Sequence, residues 1–131
     1  AFLEDFNEAY EIVLEATGKA PDIYRFPGGS VNDYNEKTRD DIIAEMDRRG
    51  FTYFDWNVDS NDAGGAKKAQ TVFNNVTAGV SQNRVSVGLQ HDIHDFSVDA
   101  VEDIIVWGLN NGYSFERLTE NSPGVHHGVQ N

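Results

Sequence analysis

The stretch Val85-Ser86-Val87-Gly88-Leu89-Gln90-His91 decides the fold. Apolar side chains fall on alternate positions, the period at which a β-strand presents one face, so Val85, Val87, Leu89 and His91 are expected to point the same way. On both flanks the period changes. Upstream, Ala66, Ala69, Val72, Phe73, Val76 and Val80 recur at helical spacing. Downstream, Ser97 reads as a helix cap with Asp99 in the first turn, and Val101, Ile104 and Ile105 form the apolar stripe. A strand set between two amphipathic helices implies a parallel sheet with right-handed crossovers.

The same alternation continues outward. Phe2, Leu3, Phe6, Tyr10, Val13 and Leu14 mark a first helix closed by Gly18 and Pro21, and residues 23–26 follow as a strand. Asn35 is expected to cap a second helix bearing Ile42, Ile43 and Met46, which ends at Arg48-Arg49-Gly50. Residues 51–56 are an aromatic-rich strand, Asn111-Gly112 stops the fourth helix, and residues 113–118 read as the last strand. The expectation is an α/β fold of four helix–strand units on a parallel sheet. Residues 1–131 would make one domain, with 119–131 as a polar tail.

Composition bounds the function. The 131 residues carry 10 basic and 22 acidic side chains, a formal charge of −12, and no cysteine. Disulfides, thiol nucleophiles and iron–sulfur clusters are thereby excluded. The negative field opposes sequence-independent binding to nucleic acid or to an anionic membrane. No apolar run approaches the ~20 residues of a membrane-spanning helix. The helical stripe starts directly after Ala1, as expected of a piece cut from something longer.

In parallel sheets ligands gather at the loops that follow the strands. Three such loops, 27–35, 57–65 and 90–95, hold most of the chemistry. Arg25 leads into Pro27-Gly28-Gly29-Ser30, where an arginine can orient a carboxylate or form a structural ion pair. Gly28 and Gly29 let backbone approach a ligand closely and offer an N–H to an oxyanion, or make an ordinary turn. Asp55, Asp59 and Asp62 surround Trp56, a grouping that suits base catalysis, a hard cation or a solvated acidic loop, with the indole able to wall a sugar site. His91-Asp92-Ile93-His94-Asp95 places imidazoles at a strand end, suited to proton transfer near neutral pH. The same four polar residues, His91, Asp92, His94 and Asp95, are weak candidates for a divalent metal. His126 and His127, in the tail, read as inert.

Taken in order, these segments resemble the polysaccharide deacetylases, carbohydrate esterase family four, whose catalytic unit is also called the nodulation-protein-B-like domain. Arg25-Phe26-Pro27-Gly28-Gly29-Ser30 is similar to the family's third motif, Asp59-Ser60-Asn61-Asp62 to its fourth, and Leu89-Gln90-His91-Asp92 to its fifth. The resemblance covers the second half of that domain. The family's first motif supplies a catalytic aspartate and a metal ligand, and its second supplies two metal-binding histidines. Neither motif is in this sequence, and Ala63 stands where the family often has tryptophan or asparagine.

The resemblance implies a truncated β/α barrel and removal of acetyl groups from a carbohydrate. It implies His91 as the general acid, Leu89 lining the acetyl pocket, Arg25 paired with Asp59, and an N–H near Gly28 on the oxyanion. Trp56 and Asp62 would contact substrate. The family metal, zinc or another divalent ion, would lack its ligands, so an ester is the expected substrate rather than an N-acetyl amide. His91 would then act as base toward water or Ser30. The alternative is an inactive remnant that binds glycan or assembles with a missing half. A bacterial extracellular or cell-envelope location is implied. Four strands cannot close a barrel, so an open apolar face is expected to pair into a homodimer or larger oligomer. Burial at ~25 cal/mol per Å² outweighs charge repulsion screened over ~8 Å.

Overall fold

An aromatic stripe builds the first layer. In the computed structural model of the chain, which describes residues 1–128, helix α1 (Phe2–Thr17) lies across a parallel pair, β1 (Ile23–Tyr24) and β2 (Thr52–Tyr53). Phe2 meets Phe26 in a tilted contact at 5.6 Å, and Phe6 meets Phe51 edge-on at 4.8 Å and Tyr24 edge-on at 6.0 Å. Such edge-to-face geometry adds to area burial because ring edges and faces carry opposite partial charge. Gly18 ends α1 in the left-handed region at φ 70°, as its position predicts. Helix α2 (Arg39–Arg48) buries Met46 completely.

The chain then passes through Phe54, Asp55 and Trp56 into a second parallel pair, β3 (Val58–Asp59) and β4 (Gly88–Leu89), with Val58 opposite Gly88 and Asp59 opposite Leu89. Asn57 fastens the join: its side chain donates to Val85 O at 2.8 Å and accepts from Val87 N–H at 2.7 Å. Helix α3 (Ala69–Ser81) packs on β3, and α4 (Asp95–Asp99) and α5 (Val101–Asn110) pack on α3 and on each other. Val58, Ala66, Val72, Val76, Ala100 and Ile104 form the core there, flanked by Phe73 and Phe96. Among the described residues no helix is long and apolar enough to cross a membrane.

The α/β class and the parallel pairing hold, with four corrections. The strands form two pairs, β1–β2 and β3–β4, rather than one four-stranded sheet. The stretch 51–59 changes neighbour partway along, so residues assigned to a loop, Val58 and Asp59, become β3. Residues 113–118 are not a strand: Tyr113 stacks on Trp107 at 5.6 Å and Phe115 packs on Gly108, anchoring this segment to α5. A cleft of about 780 Å³ lined by Val87, Leu89, Ile105 and Phe115 separates it from β4. Neither expected cap forms. The α2 helix begins four residues after Asn35, and Ser97 lies inside α4 with its hydroxyl turned inward.

Gly79 of α3 faces β3, where an added Cβ would sit 2.8 Å from Val58 Cγ1. Gly79→Ala is therefore expected to lower stability by about 1–3 kcal/mol through overpacking. Gly88→Ala, with open space around the new methyl, should cost far less. Urea unfolding of the two variants measures the difference.

Candidate active site

Two buried carboxylates organise the loops. Asp62, 1% exposed, sits in the turn after β3. Its Oδ1 lies 2.7 Å from His91 Nδ1, and its Oδ2 accepts from the His91 backbone N–H and the Ser97 hydroxyl, each at 2.6 Å. Its own N–H donates to Ser60 Oγ at 3.3 Å. Burial alone would raise the pKa of this carboxyl, but the donors from Ser97 and His91 outweigh it and hold the group well below the usual carboxylate range. An ionised Asp62 fixes the proton of neutral His91 on Nδ1 and leaves Nε2 with a lone pair.

Asp55 makes the second nest, also 1% exposed. Ser30 N–H donates to Oδ1 at 2.8 Å, Ser30 Oγ to Oδ2 at 2.6 Å and His127 N–H to Oδ2 at 2.8 Å. Burial pushes this carboxyl upward, yet the three donors again prevail and hold it below its ordinary value. The His127 ring packs edge-on against Trp56 at 4.5 Å, and its Nε2 lies 2.9 Å from Trp56 O. Gly29, at φ 89°, leaves room for this ring, since a Cβ there would meet His127 Nδ1 at 2.9 Å.

These positions revise several expectations. Asp62 is enclosed and holds His91, so it is not a substrate contact. Ser30 is 2% exposed with its hydroxyl committed to Asp55, which removes it as a nucleophile. Arg25 does not pair with Asp59: it donates to Phe26 O at 3.1 Å and lies over the Trp56 ring at 5.8 Å, while Asp59 accepts from Asn61 N–H at 2.8 Å. Gly29 N–H is spent on Phe26 O, and Gly28 N–H has no acceptor among the described residues. Leu89, on β4, is half-buried opposite Asp59.

The tail is not inert. Val125 O accepts from Asp55 N–H at 2.7 Å, and His126 stacks on Tyr53 at 4.0 Å. Residues 129–131 of the expected tail lie outside the described residues. Ser97 and His127 are what sequence reasoning missed, and no local pattern separates a buried serine donor from a cap serine.

A divalent metal does not fit the residues described. His91 Nδ1 is taken by Asp62, the His94 ring stacks on Phe96 at 5.1 Å, and Asp92 and Asp95 point to solvent. Among the described residues no three His, Asp or Glu side chains converge as ligands.

No family model matches the chain. Its sequence is 32% identical over 130 residues to a peptidoglycan-N-acetylglucosamine deacetylase of Bacillus cereus, covering 92% of this chain and 44% of that protein. Its fold superposes with a TM-score of 0.91 on the catalytic domain of a peptidoglycan N-acetylglucosamine deacetylase from Eubacterium rectale, at 44% identity over 99% of this chain and 61% of the other. A polysaccharide deacetylase from Bacillus cereus gives 0.79 at 28% identity, over 95% of this chain and 61% of its own. The chain thus spans about half the length of the curated relatives it matches.

The depressed Asp62 fixes a direction for acid stability. A carboxyl whose folded value lies below its unfolded ~3.9 adds stability above that pH and loses it as pH falls toward the folded value. Asp62→Asn should cost about 1.5–3 kcal/mol at pH 7 and flatten the acid limb. Thermal melts between about pH 3 and pH 7 read both effects.

Proposed function

Since the chain corresponds over its whole length to about half of a polysaccharide deacetylase of carbohydrate esterase family four, we propose that it is a deacetylase-like hydrolase that removes acetyl groups from carbohydrate. The 2.7 Å bond between His91 Nδ1 and Asp62 carries this reading, because it makes an imidazole able to move a proton. Arg25 over Trp56 offers a cationic and aromatic shelf beside the Gly28 turn, suited to a sugar ring.

The proposed reaction uses the chain's own groups. Water attacks the acyl carbon while His91 Nε2 takes its proton. Gly28 N–H supports the developing oxyanion, and Leu89 contacts the acetyl methyl. The imidazolium, balanced by Asp62, then returns the proton to the leaving oxygen as the carbon–oxygen bond breaks. An alcohol leaves more readily than an amine, so the ester is the favoured substrate. A deacetylase's divalent metal would activate water when bound, but the residues described do not assemble its ligands, and no step here is routed through it.

A second reading, a domain that binds acetylated glycan without turnover or acts only with a further segment, is favoured by that missing ligand set and by the match to about half of each relative. Under either reading we expect a truncated barrel whose open side pairs with another copy. Exposed Val85, Val101, Ile105 and Phe115 support this. Similarity to bacterial peptidoglycan deacetylases supports action at the cell envelope.

Hydrolysis of an aryl acetate before and after chelator, with metal analysis of the purified protein, tests the function. His91→Ala should lose roughly 10²–10⁴-fold in rate while His126→Ala keeps the wild-type rate. Equal rates in both variants favour the binding domain. Light scattering at micromolar concentration in moderate salt should report a dimer or larger, and a monomer refutes the pairing.

A further inference from the structure

His91 Nδ1–H meets Asp62 Oδ1 only while that carboxylate is held in one rotation. A carboxylate turned away would leave Nδ1 without its partner and let the imidazole proton sit on Nε2, removing the lone pair that a base needs.

Three donors meet the Asp62 oxygens, and two of them belong to His91 itself. The third is the Ser97 hydroxyl, at 2.6 Å from Oδ2. Ser97 is 0% exposed, so no solvent molecule reaches its place without a local opening. Its position is fixed twice: it belongs to α4, and its carbonyl accepts from Gln90 Nε2 at 2.6 Å. Gln90 directly precedes His91 and thereby ties the serine to the strand end that carries the imidazole. A helix-cap role is excluded, because α4 begins before Ser97 and the hydroxyl is spent on Asp62.

We propose that Ser97 is a positioning residue for His91: its hydroxyl fixes the Asp62 carboxylate in rotation, so that Oδ1 takes the Nδ1 proton and Nε2 is left bare. The catalytic consequence rests on the acyl-hydrolase reading above, whereas the tautomer does not.

Long-range ¹H–¹⁵N spectra of the uniformly labelled full chain test this from about pH 4 to pH 8. Neutral His91 in the wild type should carry its proton on Nδ1. Ser97→Ala, which frees the carboxylate to rotate away, should populate the Nε2–H form, and Ser97→Thr, which keeps the hydroxyl, should restore the wild-type tautomer. The wild type supplies an arm that needs no variant: a solvent-protected Ser97 hydroxyl proton with a cross-peak to the His91 amide proton. Absence of that proton overturns the proposal, as does a folded Ser97→Ala with the wild-type tautomer. Where the wild type turns over an aryl acetate, Ser97→Ala should lower kcat about tenfold at unchanged KM, with recovery in Ser97→Thr. An inactive wild type with the spectroscopic signatures intact overturns the hydrolase reading and supports the positioning role.

Discussion

A carboxylate removed from water must be met by donors, and Asp62 draws its donors from two separate parts of the chain. The turn after β3 supplies the acid, the end of β4 supplies His91, and α4 supplies Ser97. Leaving an ion of this kind unpaired costs several kcal/mol, so these segments keep their relative positions or lose the charge. The local geometry of the rim follows from this one requirement. Ser60 adds to it by accepting the Asp62 N–H while its own carbonyl receives Asn75 Nδ2 from α3 at 2.9 Å.

Asp55 repeats the device seven residues earlier, before β3 begins. There the donors come from the glycine turn after β1 and from the tail, so the turn's shape and the tail's path are set together. Between the two acids the stretch changes partner, leaving β1 after Phe54 N–H reaches Tyr24 O and joining β4 from Asn57 onward. The side chain of Asn57 adds two bonds to the residues leading into β4 at that junction, which helps one stretch serve two pairs.

The two nests differ in what they leave available for chemistry. At Asp55 the serine hydroxyl is consumed and enclosed, so the site shapes the Gly28 turn and the Trp56 surface. At Asp62 the imidazole is held by one nitrogen and is partly open to solvent, with 29% of its side chain exposed. The proposed chemistry therefore falls on His91, and Asp55 contributes shape.

Much of this was legible in the sequence because periodicity reports which face a segment buries. The helical stripes of α1, α3 and α5, the left-handed stop at Gly18 and the clustering of polar residues after strands all follow from local pattern. Motif order along the chain named the related deacetylases without coordinates. Pattern cannot report long-range partners. Residues 113–118 alternate as a strand does, yet the contact of the Phe115 ring with Gly108 and the Tyr113–Trp107 stack hold them on α5. Asp62 reads as a surface acid and Ser97 as a cap until the fold brings them within 2.6 Å across 35 residues of chain. His127 reads as tail until its N–H meets Asp55 across 72 residues. Local pattern determined the elements and the chemistry of the loops; tertiary structure decided which polar groups were buried together, because the need to satisfy a desolvated charge acts only once the chain has folded around it.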